Sequence, residues 1–271
     1  MAASGTDDGP PLRLVDWLGI AVVCGLGLWA QQVAGDPDAN LWRTTPADAP
    51  LVRRLPGLSN ATFAAVARCA TENALLDGAQ PLTDNFASTR GLMARFTRAG
   101  LADVRADSRL ACFLPFIEHV MDTACDAFVL NVVDAVPTDP EAEDPIRWHI
   151  DQSFPLSMSI GHYVAHTVSV LYVRVPSDMV GGELELRKVP DDWLDEHGLR
   201  ARALFGNQTE GLLAATIAPA ENDLITFRGD AHHRVLPFSS SDAGARRVSV
   251  VLEQYSLPRF GAWRARRFCL R

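Results

Sequence analysis

Cysteine is scarce in this chain, and what there is does not cluster. The five residues, Cys24, Cys69, Cys112, Cys125 and Cys269, are odd in number and widely spaced, with no C-x-x-C pair. Such a set argues against a thiolate metal module and against a disulfide framework, and reads instead as buried or idle thiols in a reducing compartment. A basic excess is also missing. The formal net charge is -8 and the pI is near 5.3, so an exposed nucleic-acid groove is not expected. A local basic pocket for a small anion remains compatible with that balance. Long apolar runs are absent as well. Trp17–Ala30 is the nearest approach, yet its fourteen residues fall short of the roughly 20 that span a bilayer. The leader before it, MAASGTDDGPPLR, is more acidic than basic, unlike a secretory n-region. The segment is therefore read as a buried or docking helix and the chain as cytoplasmic, with a membrane anchor or signal segment as the disfavoured alternative. Two formal sequons, Asn60-Ala-Thr62 and Asn207-Gln-Thr209, are too common by chance to shift this. No internal repeat or long low-complexity stretch is evident.

What the chain does have is apolar content. At 48% hydrophobic over 271 residues it can fill one core, and a single domain with a helical extension is expected. Residues 1–58 hold the apolar segment and a connector rich in Pro, Asp and Ala. Residues 59–127 form a helical support region. There, Ser59 or Asn60 caps a helix through Leu76 with Phe63, Val66, Ala67 and Ala70 at helical spacing. Asp84–Ala99 reads as a second helix and Ser108–Ala124 as a third.

The texture changes near Phe128. Short β-rich runs follow at 128–133, 146–151, 167–175, 182–189, 212–219, 223–227, 233–238 and 247–255, with Gly181-Gly182 and Gly244 at turns. Runs of this length and spacing predict an all-β barrel or sandwich over 128–258. Asp191–Gly211 interrupts the pattern as an inserted helix and loop, either a lid carrying Trp193, Arg200 and Arg202 or a surface decoration. The basic, aromatic tail 259–271 reads as solvated or packing.

The chemistry concentrates in three places. His149-x-Asp151 lies in a predicted strand, where residues two apart share a face, so one segment offers an imidazole and a carboxylate to one ion. A distant histidine would complete a two-histidine, one-carboxylate face, which leaves adjacent coordination positions open and suits non-heme Fe(II). His232 and His233 are adjacent candidates that would face opposite sides of a strand. Beyond them come Arg246 and Arg247, then Ser249.

In the order HxD, distal histidine, R-x-S, the stretch from Phe128 to Pro258 resembles the 2-oxoglutarate/Fe(II) dioxygenase superfamily, particularly its prolyl 4-hydroxylase-like branch. The matching pieces are His149-Ile150-Asp151, His233 in HRVLP, and Arg247-Val248-Ser249. The resemblance implies an α+β fold, a double-stranded β-helix (jelly-roll, cupin-like barrel) with N-terminal supporting helices. It implies Fe(II) on His149, Asp151 and His233, with Arg247 and Ser249 holding the distal carboxylate of 2-oxoglutarate. O2 is then a further co-substrate, and ascorbate is left open as an accessory reductant. The implied reaction is hydroxylation of an unactivated C–H bond with release of succinate and CO2. Related halogenases replace the carboxylate ligand with a small residue, so Asp151 argues against halogenation.

The substrate class stays open between a small molecule and an amino-acid or prolyl group, with the small metabolite favoured, and oligomeric state is not read. Trp148, Gln152 and Phe154 are candidates to line the pocket. His162 and His166 are open to a role around it, while His119 and His197 read as helix-surface or packing residues. Two other readings stand beside the hydroxylase: a cupin-like metal enzyme without 2-oxoglutarate, and a degenerate scaffold protein.

Overall fold

The structure is a computed structural model, and it describes residues 49–76, 89–139, 144–151, 153–155, 162–187, 213–242, 244–257 and 265–270. The expectations for Trp17–Ala30, Gln152, Asp191–Gly211 and His197 lie outside the described residues. Among the described residues, no helix is long and apolar enough to cross a membrane.

The chain opens with strand β1 (Val52–Leu55) and helix α1 (Asn60–Glu72), followed by a 3-10 turn at Ala74–Leu76. Next come β2 (Thr89–Thr97), α2 (Leu101–Ala106), a 3-10 turn at Ala111–Phe113 and α3 (Leu114–Val120). Strands then dominate: β3 (Ala127–Ala135), β4 (Ile146–His149), β5 (Phe154–Pro155), β6 (His162–Tyr163), β7 (Thr167–Arg174), β8 (Val180–Gly181) and β9 (Leu184–Arg187). The rest are β10 (Leu213–Ile217), β11 (Leu224–Arg228), β12 (His232–Val235), β13 (Phe238–Ser239), β14 (Arg247–Tyr255) and β15 (Phe268–Leu270).

Two antiparallel sheets carry the architecture, ordered β1-β11-β7-β14-β3-β2-β15 and β10-β9-β12-β4. Of the strands in these two sheets, β3, β4, β7 and β9 alternate between large and small, β10 follows β9 in the small sheet, and β11, β12 and β14 alternate again. The two inner quartets, β11-β7-β14-β3 and β10-β9-β12-β4, thus interleave as in a jelly roll, the double-stranded β-helix expected.

Two apolar cores follow from this layering. One lies between the sheets and is built from Val129, Val133, Val168, Val170, Leu186 and Val235 among others. The other lies behind the large sheet, where Val66, Ala70, Val104, Phe116 and Ile117 of the helices meet Leu92, Phe96, Leu130 and Leu252. Each fully buried aliphatic or aromatic side chain contributes roughly 1.5–3 kcal/mol. Because the large sheet is covered on both faces, β3 is buried at every one of its nine positions and is apolar throughout except at Asn131 and Asp134, instead of alternating. Gly181 and Gly182 sit at φ 87 and 77 in the break between β8 and β9, which run in one direction along β13 and β12, and a side chain would be strained there.

Several expectations change. Helix α1 starts as predicted, with the Ser59 hydroxyl accepting from the Thr62 amide. Asp84–Ala99, expected to be helical, instead contains β2. Its residues pair with β3 from Thr89↔Ala135 to Thr97↔Ala127, and this nine-residue ladder buries both faces, outweighing local helix propensity. The helix expected over Ser108–Ala124 shrinks to α3, because Pro115 has no amide to donate and is tolerated only in the first turn. The tail is not merely solvated: β15 pairs with β2 at the sheet edge. Cys69 and Cys112 form a disulfide across a Cα–Cα distance of 6.2 Å, joining α1 to the 3-10 turn before α3. For this pair the expectation of idle thiols is corrected, and the thiol argument for a reducing compartment no longer stands.

Candidate functional site

His149 ends β4, and His233 lies directly opposite it on β12. The ladder between these strands is irregular, with the register shifting between His233 and Val235. That irregularity lets Ile146 and His149, three residues apart, both line the space between the sheets. Asp151 arrives differently from the strand argument. The strand stops at His149, and Asp151 sits in the turn beyond it, its carbonyl accepting from the Ala165 amide at 3.1 Å. The three side chains still converge. His149 Nε2 lies 3.4 Å from Asp151 Oδ1 and His233 Nε2 lies 3.6 Å from Asp151 Oδ2, with the ligand-capable atoms all within 4.8 Å of one another.

Both imidazoles are oriented by the backbone. His149 Nδ1 is 2.8 Å from the Arg147 carbonyl, and His233 Nδ1 is 3.0 Å from the Ala231 carbonyl. A carbonyl can only accept, so each Nδ1 donates to its carbonyl and each Nε2 is the ring atom turned toward Asp151. The electrostatics follow. Burial opposes charge on His149, but the hydrogen bond and charge of Asp151 outweigh it and raise its pKa. Burial and the neighbouring His149 push His233 down to about 4. Burial works to raise the Asp151 pKa, and the two histidines overcome it to hold the carboxyl below its ordinary value.

The neighbouring candidates separate cleanly. His232, one residue from His233, points to the outer face of the small sheet and packs on Trp148 at 5.2 Å between ring centroids. Trp148 therefore does not line the pocket. It is flanked by the guanidinium groups of Arg187 at 4.0 Å and Arg234 at 4.8 Å. Arg246 turns away from the interior to pair with Asp134 at 2.6 Å, whereas Arg247 is 3% exposed and faces inward. Phe154 packs edge-on against Tyr255. His119 meets the Pro56 carbonyl at 3.2 Å, and His166 Nε2 stands 3.9 Å from Asp122. The His162 side chain lies outside what the structure describes.

A cavity of about 500 Å³, including its solvent-open part, joins the His–Asp–His cluster to Arg247 and Ser249. Its walls are largely aliphatic, with Val133, Val170 and Leu184 among them. At the Arg247 end, the guanidinium carbon lies 5.1 Å from the centroid of Tyr172. Arg247 Nε and the Tyr172 hydroxyl are both buried and make no hydrogen bond. An unsatisfied buried donor costs about 1–3 kcal/mol, which an anion placed there would recover. Burial pushes the Tyr172 phenol up, against the opposing charge of Arg247.

Four polar residues inside the barrel were not singled out from the sequence: Tyr172, Asn131, Glu253 and Tyr255. Strand parity could have found two of them, since Glu253 and Tyr255 share the inward parity of Arg247 and Ser249 on β14. Asn131 could have been noticed as one of two polar residues, with Asp134, in the otherwise apolar β3. Burial, reinforced by the charge of Asp151, pushes Glu253 up to about 7.

Fold and cluster together define a jelly-roll protein with a buried two-histidine, one-carboxylate constellation. No family model matches the chain, and no curated protein sequence matches it. Among solved structures it is similar to a Pseudomonas putida prolyl-4-hydroxylase, at 15% identity and TM-score 0.43, over 76% of this chain and 93% of that one. It is likewise similar to IDO from Bacillus thuringiensis, at 10% identity and TM-score 0.46, over 77% of this chain and 95% of that one. A third similar structure is HygX from Streptomyces hygroscopicus with nickel and 2-oxoglutarate bound, at 16% identity and TM-score 0.36, over 76% and 84%. The fold assignment rests on the strand order, and these likenesses add no functional argument to it.

Proposed function

We propose that this protein is an Fe(II)- and 2-oxoglutarate-dependent oxygenase that hydroxylates an unactivated C–H bond. In this reading His149, Asp151 and His233 are the metal ligands, and Arg247 with Ser249 and Tyr172 receives the distal carboxylate of 2-oxoglutarate. One observation carries it: a largely aliphatic cavity has two imidazoles with Nε2 turned to a carboxylate at one end and a buried guanidinium whose Nε has no hydrogen-bond partner at the other. The donor set fits Fe(II), since two neutral imidazoles and one carboxylate occupy one side of an ion and leave the other side open.

Iron, when bound with O2 and 2-oxoglutarate, supplies oxidative decarboxylation to succinate and CO2 coupled to oxidation of the substrate C–H bond. The chain's own contribution is placement. The Arg147 and Ala231 carbonyls fix both histidine tautomers. The guanidinium of Arg247 offers a planar, permanently charged fork suited to a carboxylate. The Tyr172 hydroxyl, also unpartnered, can donate to the same group. Aliphatic walls exclude water between the two ends, which strengthens every charge interaction there. Asp151 fills the carboxylate position, which favours hydroxylation over halogenation. A small metabolite is favoured as substrate over a peptidyl proline. The reading without 2-oxoglutarate is disfavoured by Arg247, a buried guanidinium whose Nε has no hydrogen-bond partner in the cavity.

The test is turnover of the full chain with Fe(II), O2, 2-oxoglutarate and ascorbate against a panel of amino acids, prolyl peptides and small metabolites. Substrate-dependent succinate release that vanishes in Asp151→Ala is expected. Turnover unchanged in that variant would sink the proposal.

A further inference from the structure

Glu253 is a carboxylate buried inside the barrel, 3% exposed, six residues beyond Arg247 on the same strand. It is fully engaged. Oε1 accepts from Asn131 Nδ2 at 2.6 Å, and Oε2 accepts a short hydrogen bond from the Tyr255 hydroxyl. The same Tyr255 oxygen accepts from the Ser153 amide at 2.9 Å. Ser153 is two residues past Asp151, in the turn that delivers the candidate metal carboxylate. Asp151 itself is held by its carbonyl, which accepts from the Ala165 amide at 3.1 Å. A buried hydroxyl whose proton is committed to a carboxylate has its lone pairs turned to the remaining donor, so Glu253 determines which way Tyr255 presents its acceptor. The Tyr255 ring is itself immobilised, 0% exposed and edge-on to Phe154 at 4.9 Å.

We propose that Glu253 and Tyr255 form a positioning clamp for the metal centre, in which the locked Tyr255 hydroxyl holds the Ser153 amide and thereby the Asp151 carboxylate. The inference rests on the metal-site reading above. Neither residue is a ligand. They act through the turn, because Asp151 lies beyond the end of β4 and its placement is not set by a strand ladder. Partners that orient metal ligands typically contribute about 10–100-fold in metal affinity.

The experiment is equilibrium binding of Mn(II) to the full chain, followed by its EPR signal, together with apo-protein melting. Tyr255→Phe keeps the packed ring and deletes only the hydroxyl. It is expected to weaken Mn(II) binding about tenfold or more while the apo protein stays folded. Glu253→Ala unlocks the same hydroxyl and is expected to weaken binding similarly. Glu253→Gln retains an acceptor for Tyr255, with the Asn131 amide free to turn, and restores binding to within about threefold of wild type. Wild-type affinity in Tyr255→Phe overturns the clamp and leaves the metal site standing. Loss of the folded state in both Tyr255→Phe and Glu253→Ala assigns the pair to the core and also overturns it. A wild-type chain that binds no Mn(II) overturns the metal-site reading, and the clamp with it.

Discussion

His149 and His233 face each other across the β4–β12 ladder, and each ties its Nδ1 to a carbonyl two residues earlier in its own chain segment, Arg147 for one and Ala231 for the other. The two rings lie 4.2 Å apart between centroids with both Nε2 atoms near Asp151. A matched pair of backbone anchors holds each Nδ1 on its carbonyl, so both Nε2 atoms stay on the side of the carboxylate.

The first prediction separates the adjacent histidines. His233→Ala is expected to lower Mn(II) affinity by more than about 100-fold, because it removes a ligand and not merely its support. His232→Ala, which removes a ring packed on Trp148 away from the cluster, is expected to bind Mn(II) like wild type. Isothermal titration of both variants checks this, and equal losses would contradict it.

Metal affinity is also expected to depend on pH with a definite sign. Ligands bind in their deprotonated forms, and Asp151 raises the His149 pKa above its ordinary 6.5. A proton therefore competes with the ion from near neutrality downward, so affinity rises as pH increases toward the His149 value and levels off above it. Mn(II) titrations at several pH values between about 6 and 8.5 span the ordinary histidine range. A flat profile would show that His149 carries no proton in the apo cluster.

At the other end of the cavity, Arg247→Ala is expected to raise the apparent KM for 2-oxoglutarate about tenfold or more, with metal binding retained. Tyr172→Phe removes one neutral donor and is expected to cost only a few-fold, roughly 1 kcal/mol. Arg246→Ala breaks the pair with Asp134 outside the cavity and leaves KM unchanged. Steady-state kinetics on the three variants decide the order.

A separate prediction concerns stability in alkali. Burial, reinforced by Asp122 and Asp126, pushes the Cys125 thiol up to about 12 from its ordinary 9.0. Between those values the unfolded chain gives up a proton that the folded chain keeps. Stability contributed by the thiol is thus complete below pH 9 and is lost as pH rises toward 12, at no more than about 1.4 kcal/mol per pH unit. Urea unfolding at pH 8.5 and about 10.5 should show a shallower loss in Cys125→Ala than in wild type. Equal slopes would mean the thiol does not titrate differently on folding.

Much of the barrel was legible because its strands carry strong local signals. The run 247–255 reads as a β-strand and is one, and Arg247 and Ser249 share the inward parity that the spacing of R-x-S suggests. Strand alternation set His232 and His233 on opposite faces, and the position of His233 in HRVLP, matched to the resembled family, picked the inward one. The features that were not legible depend on distant partners. Thr89–Thr97 is a strand because β3 lies beside it, a fact no window around Gly91 contains. The Cys69–Cys112 bond joins residues 43 apart. Asp151 reaches the cluster from a turn held by Ala165, so the same-face rule led to the correct neighbourhood through a geometry the strand does not have.

The most direct measurement is anaerobic titration of the full chain with Fe(II) and then 2-oxoglutarate, followed by visible absorption. If both bind in the one cavity, a weak charge-transfer band develops with 2-oxoglutarate in wild type, is absent in His233→Ala, and needs much higher 2-oxoglutarate in Arg247→Ala. A wild-type chain that takes up Fe(II) but develops no such band at saturating 2-oxoglutarate would contradict the account.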